Sequence, residues 1–161
     1  LEAVAKLDGD WRLYILGSGP QREALEAQAA ALGIHERVTF KGWVASTDMP
    51  NQYHQLDALV LPSLTRANWK EQFGRVLVEA MSSGVPVVGS DSGAIPDVIG
   101  DGGLIFPEGD VVALRQALCT LMNDHTQYVQ LSHAARSRVL AHFTHEQVAA
   151  ETVHVYQSLM S

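Results

Sequence analysis

Two carboxylates, Glu71 and Glu79, stand with seven residues between them in the run Glu71-Gln72-Phe73-Gly74-Arg75-Val76-Leu77-Val78-Glu79-Ala80-Met81. The pattern that follows predicts a helix from about Gly74 to Ser83, so the helix starts between the two acids. At such a start the backbone N–H groups of about Phe73 to Val76 have no partner inside the helix. Together with the helix dipole they make an anion site suited to a diphosphate. Gly74 lets the backbone come close to a ligand, and Glu79 lies about 7 Å further along the axis. One carboxylate can therefore lie on each side of a bound diphosphate. Each could accept charge-assisted hydrogen bonds from sugar hydroxyls. The plain alternative is an exposed Glu71 in a loop and a Glu79 spent in a surface salt bridge. The pair alone does not separate the two readings.

The elements that must position this pair alternate along the whole chain. Strands are predicted at Trp11–Leu16, Arg37–Phe40, Ala58–Leu61, Val85–Gly89 and Leu104–Phe106, each closed or followed by Gly or Pro. Between them lies a helix from Gln21 to Leu32, with Pro20 in its first turn and Gly33 as its stop. Asp48 is placed to cap a short helix carrying Met49, Tyr53 and Leu56. Asp110 is placed to cap another, with Leu114, Ala117, Leu118, Leu121 and Met122 on one face. A helix from Gln127 to Ala141 follows. The last starts at Thr144, with Gln147 completing a capping box, and is expected to bury Val148, Val155 and Leu159. Alternating apolar strands and helices predict an α/β fold, a doubly wound parallel sheet with helices on both faces. Ligands of such sheets sit beyond the C-terminal strand ends. The loops to watch are Gly17–Pro20, Gly42–Thr47, Ser63–Gly74 and Ser90–Ile95.

Composition narrows the function. The 161 residues are 47% hydrophobic and 18% charged, enough for a packed single domain, and the net charge of -7 argues against a nucleic-acid partner. A single cysteine, Cys119, excludes an internal disulfide and suits a cytoplasmic setting; it reads as a small core residue. No apolar run approaches the ~18 residues of a membrane span. Leu1 is not an initiator methionine, so the start reads as a cut in a longer chain and not as a signal peptide. Gly17-Ser18-Gly19 is a weak dinucleotide signal, because Arg22 stands where the third glycine belongs and no acid ends the second strand. None of the histidines, His142 and His145 included, has metal-ligand spacing, so no metal is expected.

The run from Leu61 through Asp110 resembles the donor-binding domain of the family 4 retaining glycosyltransferases, which have the GT-B fold. Further matching pieces stand in the expected order. They are Gly17-Ser18-Gly19-Pro20, Val38-Thr39-Phe40-Lys41-Gly42-Trp43-Val44, Asp57-Ala58 before Leu61-Pro62-Ser63, Ser92 through Ile99, Gly103 through Pro107, and Phe143-Thr144 with Tyr156. The resemblance implies a Rossmann-like half of a GT-B enzyme. Such an enzyme moves a hexose-type sugar from a UDP or GDP donor with retention, without a catalytic metal or a cofactor other than that donor. Glu71 then matches the catalytic-site carboxylate on the transferred sugar, and Glu79 the one on the ribose hydroxyls. Phe73, Gly74, Arg75 and Val76 match the segment whose amides meet sugar and diphosphate. Gly42, Trp43 and Val44 lie where the nucleobase packs, and Gly17 and Gly19 line the same crevice.

Two departures accompany the resemblance. The family's basic Arg and Lys pair belongs to a segment before Trp11 that is absent here. The N-terminal acceptor domain and the first strand of this domain are absent too. Residues 1–161 are thus expected to be the nucleotide-sugar-binding, C-terminal part of a two-domain enzyme, inactive alone. Its expected partners are the nucleotide sugar and the missing domain. The acceptor stays open, and membrane contact at the inner face would come only through that missing domain. Lys70, Arg66 and Arg75 sit near the motif without being assigned to the diphosphate. The loop Leu64–Lys70 either shapes donor choice or is plain surface. Rival readings are a non-catalytic binding or regulatory module, disfavoured by the presence of both acids, and a sugar-nucleotide epimerase of similar fold, which would lack the Glu71–Glu79 block.

Overall fold

The computed structural model describes residues 1–160. Its strands are β1 (Leu13–Leu16), β2 (Val38–Lys41), β3 (Leu59–Leu61), β4 (Val87–Ser90) and β5 (Gly103–Phe106). Its helices are α1 (Arg22–Ala31), α2 (Met49–Tyr53), α3 (Arg75–Ser82), α4 (Ile95–Ile99), α5 (Val111–Asn123), α6 (His125–His142) and α7 (His145–Met160). Every strand pairing is parallel. The short helix α4 is an addition to the elements read from the sequence, because five residues carry too little periodicity to stand out.

Strand β4 shows why the chain winds this way. It lies between β3 and β5 and is buried along its whole length. Successive strand side chains point to opposite faces. Val87 accordingly packs with Leu77 and Met81 of α3, Ile95 and Ile99 of α4, and Ala135 and Val139 of α6. Val88 faces the other way, with Phe106 and Leu121, against Leu114 and Leu118 of α5. A third cluster, Ala29, Ile34 and Val38, holds α1 against β1 and β2.

The parallel α/β fold with helices on both faces is the one that the sequence predicts, and its strands form two hydrogen-bonded groups, β1–β2 and β3–β4–β5. The chain crosses from β2 through α2 to β3, and β1 and β3 share no ladder among the described residues. Three local expectations need correcting. Pro20 lies in the turn ahead of α1, whose cap position is Gln21, so it is not the first helical residue. Asp48 occupies the cap position of α2 but makes no side-chain cap. Val148, Val155 and Leu159 are 51%, 53% and 78% exposed, so α7 buries none of them. By contrast Asp110 caps α5 as expected, accepting from the Val112 and Ala113 N–H groups.

Candidate functional site

The start of α3 is built around Gly74. Its φ of 75° and ψ of 56° are left-handed, and a Cβ there would stand 2.9 Å from Leu77 Cδ1 and 3.0 Å from Leu61 Cδ2. Only glycine turns the chain into the helix at this point. The helix start is capped from upstream: Gly74 N–H donates to Glu71 Oε1 at 3.1 Å, and Ser63 Oγ donates to Glu71 Oε2 at 3.3 Å. One of the amides expected to be unpaired is therefore taken by Glu71 itself. The amides of Phe73, Arg75 and Val76 meet no acceptor among the described residues. They leave the positive end of the α3 dipole open to an anion.

The backbone of Glu71 is clamped from β4's far loop. Ala94 N–H donates to Glu71 O at 3.1 Å. Gly93, at φ 59°, lies so close that a Cβ would fall 1.9 Å from that same oxygen. The sequence marks Ser90–Ile95 as a loop at a strand end; its physical task includes fixing Glu71.

Glu79 is held by two elements. Its Oε1 pairs with Arg75 Nε at 3.0 Å, one turn back on the same helix face. That pair faces solvent on the Arg75 side and is worth roughly 0–1 kcal/mol. Its Oε2 accepts from the Tyr53 hydroxyl of α2 at 2.6 Å. Tyr53 is buried, and burial first, then its bond to Glu79, pushes its phenol well above the usual tyrosine range. The plain salt bridge is thus real, yet Glu79 also carries a short bond to a buried phenol that a stray surface acid lacks. Tyr53 was legible only as an apolar-face residue of a short helix. Its signal is that a buried phenol needs a hydrogen-bond partner.

The remaining candidates lie at the ends of β1 and β2. Gly17 N–H donates to Gly42 O at 3.2 Å, which joins the two loops. Gly17 and Gly19 line a pocket of about 390 Å³ with Phe40 and Arg22. Arg22, which spoils the dinucleotide fingerprint, thereby places a cation in that pocket. Trp43 stands 79% exposed and Val44 is half-buried; neither lines it. A second, open pocket of about 740 Å³ includes Glu71 but not Glu79. Neither pocket holds both groups of candidates, and the bond from Tyr53 to Glu79 ties the α2 side to α3. Phe73 packs edge-on against Phe143 with ring centres 5.7 Å apart. Arg66 and Lys70 form no ion pair among the described residues. Cys119 is half-buried on α5. No described helix is long and apolar enough to cross a membrane, and no group of three or more His, Cys, Asp or Glu among the described residues is placed to hold a metal.

The fold is the Rossmann-like α/β half of a GT-B glycosyltransferase. It superposes with a TM-score of 0.84 on Anabaena HepE in complex with UDP-glucose, at 25% identity, over 98% of this chain and 43% of that one. A family model for Glycosyl transferases group 1 matches residues 1–124, and the chain belongs to that family. It is 33% identical over 160 residues to the lipopolysaccharide core biosynthesis mannosyltransferase LpsB of Rhizobium meliloti, covering 94% of this chain and 44% of that protein. It is 32% identical over 143 residues to a GDP-mannose-dependent alpha-(1-6)-phosphatidylinositol monomannoside mannosyltransferase of Mycobacterium tuberculosis, covering 86% of this chain and 37% of that protein. The chain therefore spans less than half the length of these relatives.

Proposed function

We propose that this chain is the donor-binding half of a retaining glycosyltransferase that moves a hexose-type sugar from UDP or GDP to an acceptor. One observation carries the reading: two held carboxylates, Glu71 and Glu79, flank a helix start whose amides at Phe73, Arg75 and Val76 are free. A diphosphate at that start meets those N–H groups and the dipole. Its growing negative charge as the sugar leaves is stabilised by groups already in place. Glu79, fixed by Tyr53, keeps lone pairs for ribose hydroxyls. Glu71 exchanges its contact with Ser63 for a sugar hydroxyl and so orients the reacting carbon. The loops at Gly17–Gly19 and Gly42–Val44 take the nucleobase side. Nothing in this arrangement calls for a covalent nucleophile or a metal.

Two features support a longer, two-domain protein. A doubly wound sheet reverses its winding at a central strand, and a strand set between β1 and β3 would join the two groups. The apolar stripe of α7 is exposed here, as expected of a surface that the rest of the protein covers. Sugar transfer then needs the cleft between domains, and this chain alone is expected to show none. The reading also places the protein in the cytoplasm, with any membrane contact made by the other domain.

The test is a set of titrations of the full-length protein. Glu79→Gln should weaken binding of nucleotide and nucleotide sugar alike. Glu71→Gln should weaken only the nucleotide sugar and lower turnover, because an amide replaces one acceptor with a donor and removes the charge. Wild-type binding of both ligands by both variants would make the pair structural.

A further inference from the structure

The backbone that carries Glu71 into α3 is held at its ends and not in its middle. Ala94 N–H donates to Glu71 O, and Gly74 N–H donates to the Glu71 carboxylate. Between them Gln72 and Phe73 make no backbone hydrogen bond among the described residues, and Gln72 is exposed. A stretch without backbone bonds belongs to the low-stability end of a structure unless a side chain anchors it. The anchor here is the Phe73 ring, which meets Phe143 edge-on with ring centres 5.7 Å apart. That is a favoured geometry for two aromatic rings.

Phe143 is itself fixed from several sides. It closes α6, with its N–H donating to Val139 O at 2.9 Å, and it packs on the cluster that holds Leu77, Ile95 and Ile99. Arg138, just over a turn back on α6, has its guanidinium carbon 5.9 Å from the centre of the Phe143 ring. That guanidinium donates to Val98 O at 2.9 Å and to Asp97 O at 2.6 Å, near the C-terminal end of α4. Gly100, at φ 52°, makes room for it, because a Cβ there would fall 2.4 Å from Arg138 Cζ. Both holds on the segment therefore lead back to α4. The corner ahead of that helix, Gly93–Ala94, grips Glu71 directly. Its far end reaches Phe73 by way of Arg138 and Phe143.

We propose that Phe143 is a positioning residue for the donor's sugar end. Through the Phe73 ring it sets the path of residues 71–74, and so the aim of the Glu71 carboxylate and of the free Phe73 amide. The proposal rests on the donor-site reading of Glu71 and Glu79. Glu79 lies outside the reach of Phe143, because Tyr53 and Arg75 hold that acid. The consequence is a split within one ligand: the sugar depends on Phe143 and the nucleoside does not. Small displacements suffice, since a group that orients a substrate works only when its own geometry is held closely.

The experiment uses the full-length protein, with UDP, UDP-glucose, GDP and GDP-mannose as calorimetric probes. Phe143→Met keeps the apolar bulk and removes the ring, while Phe143→Tyr keeps the ring. For the nucleotide sugar that the wild type binds, Phe143→Met should weaken affinity about fivefold, the strength of one aromatic pair, and Phe143→Tyr should recover most of the loss. The parent nucleotide should bind all three proteins alike. Phe73→Met removes the same contact from its exposed side, and so tests it even if Phe143→Met folds poorly. The double variant should lose no more than either single one, because both act through one contact. Hydrogen exchange reads the segment without a ligand. The Gly74 amide should exchange faster in Phe143→Met and in Phe73→Met than in wild type, while amides in the middle of α3 keep their protection. Equal losses of nucleotide and nucleotide sugar, additive losses in the double variant, or an unchanged Gly74 amide would each overturn the proposal and leave Phe143 a packing residue. If the wild type binds none of the four probes, the donor-site reading itself fails, and Gly74 exchange alone decides whether Phe143 sets the segment.

Discussion

Helices α3 and α7 carry the same kind of amphipathic pattern and meet opposite fates. In α3 the apolar residues Leu77, Ala80 and Met81 lose all their exposed surface against β4, α4 and α6. In α7 the apolar residues Val148, Val155, Tyr156 and Leu159 stand open to solvent. The helix touches little besides α6. Both stripes follow the helical repeat, so the pattern says that a stripe is made to be covered and not which part of the protein covers it. In α3 the cover is in this chain. For α7 it is proposed to lie in the rest of a longer one.

The largest expected effect tests that contrast directly. Leu77→Ala should cost about 2–5 kcal/mol in urea unfolding of this chain, because it removes buried atoms and leaves a cavity. Leu159→Ala should stay within about 0.5 kcal/mol, as exposed substitutions do. Repeated in the full-length protein, the Leu77 cost should be the same and the Leu159 cost should rise. Equal costs for the two positions in this chain would break the comparison.

The same contrast explains what the sequence made legible. Strands β3 to β5 were readable because short apolar runs are bounded by Gly or Pro: Pro62 closes β3, Gly84 and Pro86 stop the helix ahead of β4, and Pro107 closes β5. The site at α3 was readable because its parts are close in sequence: Glu71, Gly74 and Glu79 fall on one helix start. What supports those parts comes from far along the chain. Tyr53 reaches Glu79 across 26 positions, and the Gly93–Ala94 corner reaches back to Glu71. Contacts of that separation leave no period and no spacing to read. The division into two strand groups escaped for a related reason. A strand's residues show that it is covered on both faces, and not which strand lies beside it.

A smaller effect sharpens the contrast at the polar edge of α3. Tyr53→Phe deletes the bond to Glu79 Oε2 and leaves the ring in place. The loss should be about 1 kcal/mol, or about fivefold in nucleotide affinity of the full-length protein. Its folded-state pKa is raised, so the phenol's contribution is fully present below the usual tyrosine range and is lost only as pH climbs through the raised value. The affinity gap between wild type and Tyr53→Phe should therefore hold steady from neutral pH to mild alkali. In a Glu79→Gln background the same substitution should cost less, since the two act through one bond. Full additivity would separate Tyr53 from Glu79 and leave α3 with no positioning tie to α2.

The smallest effect concerns the loop that α3 hangs from. Glu108 lies at the surface after β5, and the hydrogen bond from the Thr65 side chain, then the one from its backbone, holds its carboxyl below the usual glutamate range. A depressed folded-state pKa adds stability above the unfolded value, and that stability is lost as pH falls through the folded one. The gain is small, because water competes at such an exposed group. Global melting is a blunt probe here, so the Thr65 amide is the better one. At neutral pH its hydrogen exchange should be slower in wild type than in Glu108→Gln, which keeps one acceptor but loses the charge. As the pH falls below the usual glutamate range the two exchange rates, corrected for intrinsic chemistry, should converge, because the wild-type carboxyl is then neutral as well. Equal protection at neutral pH would mean that the charge of Glu108 adds nothing to its hold on the Thr65 amide, which a neutral acceptor would then fix as well.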